Sequence, residues 1–391
     1  MSKIEVVPEL RFSGFNKAWT EKRLKEIGIF LGGGTPSKTN PDFWTGLIPW
    51  VSSSDITDDS IHQIKVTRFI TEDAIAKSAT KLVPENTILL VSRVGVGKLA
   101  VTTKTLCTSQ DFANFTPSEG DVYFLAYYLK SKSTEFLKFN QGMAIQGFTK
   151  DDISNFVLYI PQDLEEQQKV ADCLSSMDNL ITENVKKLES LKLHKKGLMQ
   201  KLFPTEGRDV PELRFDGFNE SWKKKPFSKL FEIGSGKDHK HLADGDIPVY
   251  GSGGYMRSVN DYLYEGKSAC IGRKGTINRP MLLDGKFWTV DTLFYTHSFK
   301  NCIPEFVYLL FQNIDWLKLN EAGGIPSLSK VIINKIEVLI PEEDEQQRIV
   351  DCVSSLDELI KIESNKIEAL KEYKKGLMQK LFPEVKEFLH E

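Results

Sequence analysis

Lys195–Pro204 reads KKGLMQKLFP, and Lys374–Pro383 reads the same ten residues. Ten identities in a row mark a duplication, and a second match extends it. Val7–Phe12 and Val210–Phe215 both read VPELRF, each followed by Gly-Phe-Asn (Gly14–Asn16, Gly217–Asn219) and then by Trp19 or Trp222. Internal repeats decide an architecture before any local reading does. Between the matched ends, roughly 28–158 and 234–338 share almost nothing at aligned positions, and the stretch from VPELRF to KKGLMQKLFP is 24 residues longer in the first copy. The order is variable–helix–variable–helix: two scaffold halves that present two different surfaces.

The segments leading into KKGLMQKLFP carry apolar residues at steps of three and four. Val170, Cys173, Leu174, Met177, Leu180 and Ile181 match Ile349, Cys352, Val353, Leu356, Leu359 and Ile360, the spacing of one helical face. Pro161 and Pro341 stand before the starts and Pro204 and Pro383 after the ends, as helix stops. Polar Asn184 and Glu363 interrupt the two stripes at matching places. At ~1.5 Å per residue, ~38 helical residues span about 55–60 Å, too long for one small domain, so each copy wants the other as partner. Both helices start acidic (Glu165, Glu166; Glu343, Asp344, Glu345) and end basic (Lys195, Lys196; Lys374, Lys375). That order suits the helix dipole and predicts antiparallel packing, with the acidic start of one helix beside the basic end of the other. The fold class that follows is α+β: two mixed α/β domains joined by two long antiparallel helices with pseudo-two-fold symmetry. The expected boundaries are 1–160 and 205–340 for the domains, 161–204 and 341–385 for the helices, and 386–391 for a tail.

Composition narrows the class. With 40% apolar and 27% charged residues in 391, the chain reads as globular with room for two cores. It has no apolar run of ~18 residues to cross a membrane, and MSKIEVVPEL lacks the pattern of a secretory signal. Cys107, Cys173, Cys270, Cys302 and Cys352 form no CxxC pair, which fits reduced thiols and a cytoplasmic location. The net charge of −3 does not advertise a nucleic-acid binder. By region, however, the helices sum to −3 and the tail to −2, leaving about +1 in each variable domain. Contacts to phosphate must then come from local clusters.

Two unlike heads on a long rod suit a split DNA site, whose halves lie about 34 Å or more apart along one face of the duplex. Here the chain resembles the specificity subunits of type I restriction–modification enzymes over essentially its whole length. The residues that carry the likeness are Gly33–Ser37 (GGTPS), Ile48–Trp50 and Ser54-Asp55 in the first half. In the second they are Ile247–Gly254 (IPVYGSGG) and Ile271–Thr276 (IGRKGT). Each half also has an Ile-Pro pair and a Gln-Gln pair at its helix start: Ile160-Pro161 with Gln167-Gln168, and Ile340-Pro341 with Gln346-Gln347. The resemblance implies two target-recognition domains, each reading one half of a double-stranded DNA site, and two helices as spacer. It also implies docking of two DNA methyltransferase subunits, with restriction–translocase subunits joining for cleavage. No cofactor is expected on this chain; S-adenosylmethionine would sit on the methyltransferase, for transfer usually to adenine N6. Gln167, Gln168, Gln346 and Gln347 are the expected partner-subunit contacts.

The candidate DNA contacts are polar residues of glycine-rich loops, because glycine permits close approach and Ser, Thr, Gln, Lys and Arg bond phosphates or base edges. In the first domain they are Thr35, Ser37, Lys38, Ser53, Arg93, Lys98, Gln110, Gln146 and Lys150. In the second they are Lys237, Lys240, Tyr250, Ser252, Arg257, Arg273, Lys274, Ser327 and Lys330. Arg273, Lys274 and Lys98 rank first, flanked by glycines. The bland alternative for each is a solvated loop residue.

Four motif fragments fail on inspection. Asn40-Pro41-Asp42-Phe43 lacks the second proline of an amino-methyltransferase motif. Gly95-Val96-Gly97-Lys98 is followed by Leu99 where a phosphate loop needs Ser or Thr. Gly32–Gly34 lacks the third glycine of a dinucleotide loop. Asp238-His239-Lys240-His241 has no further metal ligands nearby in sequence. The chain therefore reads as a non-catalytic adaptor; the rivals are a self-contained methyltransferase or nuclease and a coiled-coil scaffold without DNA contact.

Overall fold

The computed structural model of the chain describes residues 6–139, 147–205 and 207–383. It divides into two units, one of Met1–Val185 with Asn365–Glu391 and one of Lys186–Ser364. Each unit thus holds one variable domain and one half of each long helix.

The first unit contains β1 (Thr20–Arg23), β2 (Gly28–Gly32), β3 (Ile48–Val51), β4 (Arg68–Ile70), β5 (Leu82–Val83), β6 (Ile88–Val91), β7 (Leu99–Val101), β8 (Leu106–Thr108), β9 (Phe112–Pro117) and β10 (Val157–Ile160). They form sheets ordered β1-β10, β2-β9-β6-β7 and β4-β3-β8-β5, antiparallel except for β3–β8. The second unit contains β11 (Lys223–Pro226), β12 (Glu232–Ser235), β13 (Ile247–Gly251), β14 (Gly254–Val259), β15 (Tyr264–Glu265), β16 (Ser268–Gly272), β17 (Met281–Leu283), β18 (Lys286–Thr289), β19 (Leu293–His297) and β20 (Glu337–Ile340). Its sheets are ordered β11-β20, β12-β19-β16-β17 and β14-β13-β18-β15, again with one parallel pair, β13–β18. Every strand has a counterpart ten labels on. The two intervals that share almost no sequence share one topology. Central strands such as β6 and β16 are buried along their whole length, so they demand only short apolar runs, which many sequences supply.

A helix covers each of the β2 and β12 sheets. Val122–Ser131 is capped by Asp121, whose side chain accepts from the Phe124 amide, and Pro304–Asn313 begins on a proline. Their inner faces, including Phe124, Leu125 and Tyr128 or Phe306, Val307 and Leu310, share a core with the long helices.

The long helices run Leu164–Leu202 and Glu343–Leu381, 39 residues each, within four residues of the expected bounds. In the second unit Lys187 pairs with Glu363 (2.6 Å) and Lys195 with Asp357 (2.6 Å), so one helix ascends in number as the other descends. In the first unit Asp178 pairs with Lys374, while Val170, Ala171 and Leu174 share a core with Met378, Leu381 and Phe382. Within each unit the helical segments are antiparallel, as the charge order requires.

One detail of that expectation is corrected. The acidic starts lie beside the basic ends, but Glu166 and Glu345 pair with the repeated VPELRF segment rather than with the lysines there. Arg11 donates from Nε and Nη2 to Glu166 (2.7 and 2.9 Å), and Trp19 Nε1 donates to the same carboxylate (3.1 Å). Arg214 and Trp222 do the same to Glu345 (2.8, 2.8 and 3.2 Å). At the other end of the segment the Leu10 amide donates to the Lys380 carbonyl and Glu9 pairs with Lys380; Leu213 and Glu212 repeat this on Lys201. Each VPELRF segment is a strap joining the start of one long helix to the end of the other. Gly14 and Gly217, both at φ +96°, turn the chain inside the strap, a conformation that favours glycine. The strap explains why these two distant stretches stayed alike.

Candidate nucleic-acid interface

In the first unit Ser92, Arg93, Gln110, Phe112, Phe148, Thr149 and Lys150 line an open cleft of about 450 Å³ beside β2 and β9. Three expected residues, Arg93, Gln110 and Lys150, therefore come together on it. Thr35 joins them, its hydroxyl donating to Gln110 Oε1 at 2.6 Å. Lys150 opens the short helix Lys150–Ser154, whose cap is Thr149. The Phe148 amide donates to the Ser92 carbonyl (3.1 Å) and holds this cap against the end of β6.

The second unit repeats the construction. The Leu328 amide donates to the Arg273 carbonyl (2.9 Å), and Ser329 caps the helix Lys330–Lys335. This bond makes Ser92 the counterpart of Arg273, Arg93 of Lys274, and Lys150 of Lys330. Lys274 and Ser327 form a β-bridge, and Ser252 Oγ donates to the Lys274 carbonyl (2.8 Å). Arg273 and Lys330 flank the Phe294 ring at 6.0 and 5.8 Å. Burial lowers the Lys330 pKa, and the neighbouring Arg273 charge adds to the effect. Five expected residues, Ser252, Arg273, Lys274, Ser327 and Lys330, thus make one basic cluster, at the same backbone position as the Arg93–Lys150 pair.

The other candidates do not line the cleft and share none of the bonds or ring contacts of the second cluster. Ser37 and Lys38 sit on the loop before Pro41–Trp44, where Ser37 Oγ bonds Thr39 and its carbonyl accepts from Trp44 Nε1. Lys98 is half-buried in the turn after β6. Lys237 and Lys240 are exposed on the loop before β13, and Tyr250 is half-buried against Tyr255. Arg257 pairs with Asp244 (2.7 Å). Ser53 is corrected: only 8% exposed, it lies inside a turn rather than on a contact surface. Gln146 lies outside the described residues.

The expected partner contacts are corrected in half. Gln167 and Gln346 are buried, with their amides spent on their own unit. Gln167 bridges the Asp121 amide and the Pro161 carbonyl; Gln346 bridges the Ile303 amide and the Pro341 and Asn301 carbonyls. They lock the helix start to the domain. Gln168 and Gln347 are exposed.

Arg68 was missed. It stacks over Trp50 (4.5 Å), bonds Ser52 and pairs with Asp55. It stands opposite Trp50 on β4 as Arg257 stands opposite Val249 on β14.

Among the described residues no group of three His, Cys, Asp or Glu could hold a metal. No helix is long and apolar enough to cross a membrane. All five cysteines are free; Cys107, Cys270 and Cys302 are buried, whereas Cys173 and Cys352, expected inside the helix faces, are half-buried. Burial pushes the Cys270 thiol up to about 12 and Cys107 to about 11, which keeps both as inert thiols.

Two domains of one topology, each with a basic pair at the same loop junction and each strapped to paired long helices, define a duplicated recognition scaffold. A family model of the type I restriction modification DNA specificity domain matches residues 16–193 and 219–372, and the chain belongs to that family. It is 28% identical to the type I restriction enzyme MjaIX specificity subunit of Methanocaldococcus jannaschii, over 93% of each chain. It is 31% identical to the EcoR124I/EcoR124II specificity subunit of Escherichia coli, over 41% of each. In fold it is similar to the crystal structure of a type I restriction–modification S subunit from M. genitalium, with a TM-score of 0.64, 18% identity, and coverage of 97% of this chain and all of that one.

Proposed function

We propose that this specificity subunit binds a bipartite double-stranded DNA site, one half through each domain. It performs no chemistry itself. It docks two DNA methyltransferase subunits, joined by restriction–translocase subunits for cleavage, and so directs adenine methylation or cutting to its site in the cytoplasm. S-adenosylmethionine belongs to the methyltransferase. The observation that carries this reading is the pair of equivalent basic clusters, Arg93–Lys150 and Lys274–Lys330, embedded in domains whose remaining loops differ. Equivalent cations would fix the phosphate register alike in both halves, while unlike neighbours, Gln110 in one and Arg273 in the other, would read different bases. Modest charge in each domain fits weak binding by the chain alone, strengthened when the methyltransferase subunits add phosphate contacts.

Mapping methylated adenines in host DNA with and without this chain tests the reading. A split motif should be methylated only when the chain is present. Unchanged methylation after its removal, or methyl transfer by the isolated chain, would overturn it.

A further inference from the structure

Asn320–Ser327 (NEAGGIPS) is a loop that closes on itself beside the second basic cluster. Asn320 Oδ1 accepts from the Ala322 and Ser327 amides (3.1 and 2.9 Å), and its Nδ2 donates to the Ala322 carbonyl (2.8 Å). The Glu321 amide donates to the Ser327 carbonyl (3.1 Å). The loop is also braced from outside. The Gly275 amide donates to the Pro326 carbonyl (2.9 Å), next to the bridge between Lys274 and Ser327.

Ile325, next to the braced proline, is 61% exposed. Single apolar residues are common on protein surfaces, but three observations set this one apart. The loop that carries it is fixed at both ends by the bonds above, so the side chain is held out rather than left to move. Arg273, Lys274 and Lys330 stand on the segments that brace the loop, and none has an acidic partner among the described residues. In two intervals that otherwise share almost nothing, Asn140, Ile145 and Lys150 repeat the spacing of Asn320, Ile325 and Lys330. Gly323 and Gly324 precede the isoleucine, and a Cβ at either would meet no atom within 4 Å. No packing inside the chain asks for their bare backbone.

We propose that Ile325 is a wedge that enters the base stack of the second half-site and parts one step. The inference rests on the DNA-binding reading above and adds what this domain does to the duplex. An apolar side chain inserted between bases unstacks them, and adjoining phosphate contacts offset that cost. Arg273, Lys274 and Lys330 supply such contacts, and the two glycines let the loop backbone come close to the duplex. The Cβ-branched isoleucine keeps its shape as it enters. Steps that open easily, a pyrimidine followed by a purine, are then favoured at a position that no polar side chain reads. A protein surface is the poorer match, because three cations without acidic partners adjoin the isoleucine.

Ile325→Ala in the full chain, assembled with the host's methyltransferase subunits, tests it. The side chain is exposed, so the thermal midpoint should stay within about 2 °C of wild type. Affinity for a duplex carrying the methylated motif should fall about ten-fold. A single mismatch moved through the second half-site should, at one step, restore the variant to within about three-fold of wild type on the same duplex, because an opened step no longer needs the side chain. 2-Aminopurine beside that step, away from the methylated adenine, should brighten when the wild-type complex binds and stay dim with the variant. Wild-type affinity, or a loss that no mismatch restores, overturns the proposal. So does weaker assembly with the methyltransferase subunits in the absence of DNA, which would assign Ile325 to a protein contact. If the wild-type complex shows no preference for the methylated motif, the DNA-binding reading itself fails; a wild-type preference with no rescue of the variant removes only the wedge.

Discussion

Asp178 and Asp357 occupy equivalent turns of the two long helices, yet neutralising them should have very different consequences. Asp178 is 2% exposed; Tyr127 donates to its Oδ2 at 2.6 Å and Lys374 to its Oδ1. The Lys374 side chain is 11% exposed, with its ammonium 5.1 Å from the centre of the Tyr127 ring. Asp178→Asn keeps the volume but strands that ammonium without its counter-charge, and removing one partner of a buried pair costs about 3–5 kcal/mol. Asp357 is bonded through both oxygens to Lys195 at 2.6 and 2.7 Å, but its carboxylate is 46% exposed. Leu309 stands where Tyr127 does, three residues after the phenylalanine that meets the strap tryptophan. There Asp357→Asn should cost about 0.2–1 kcal/mol. For units of about 200 residues, one kcal/mol moves the midpoint by about 2–4 °C. Calorimetry should therefore show a fall of about 6–20 °C for Asp178→Asn and about 4 °C or less for Asp357→Asn. Equal shifts, or the reverse order, would refute the claim that burial rather than pairing sets the cost.

Other outcomes follow from the same geometry. His62 bonds Tyr127 (2.9 Å), and burial holds its pKa below the ordinary 6.5 against the opposing pull of Asp178. The unfolded chain then binds the proton more readily, so the first unit should be most stable above pH ~6.5 and lose stability as pH falls through that value. In urea titrations, His62→Phe should flatten this dependence; a slope unchanged by the substitution would sink the assignment. In the assembled complex, Arg93→Ala with Lys150→Ala should weaken binding to all sequences alike and reduce the log–log salt slope by roughly 0.9 for each phosphate that is no longer neutralised. Gln110→Ala should instead relax base preference in one half-site only, and an unchanged methylation motif would remove Gln110 from the readers. Because both straps meet their helix ends through the same bond, Leu10 to Lys380 and Leu213 to Lys201, a circular permutant should also fold. Joining Pro383 to Val7 with a copy of 205–209 and opening the chain there should leave the midpoint within a few degrees (about 1–2 kcal/mol); an unfolded product would show that the straps are not equivalent.

The sequence made the frame legible because a helix pair writes a long periodic stripe and two copies check one another. Helix bounds, their antiparallel sense within each unit and the doubled domain could all be read from Lys195–Pro204 outward. The shared domain topology could not. Strands of two to six residues ask only for a few inward apolar side chains, so 28–158 and 234–338 kept the fold without keeping letters. Side-chain duties were harder still. Glu166 and Glu345 read as dipole partners but serve Arg11, Trp19, Arg214 and Trp222. Gln167 and Gln346 read as surface contacts but satisfy buried backbone, because nothing in a one-dimensional pattern says that the loops ending at Asp121 and Ile303 will fold over them. The basic clusters were partly visible: Arg273-Lys274 announced itself between glycines, whereas the Arg93–Gln110–Lys150 cleft needed two loops and the start of a short helix to converge.

The central claim, that two independent heads read two halves of one site, is tested most directly by replacing residues 234–338 with the matching segment of another specificity subunit and mapping methylated adenines. One half of the recognised motif should change while the other half and the gap stay as they were. A motif altered in both halves, or in neither, would contradict the account.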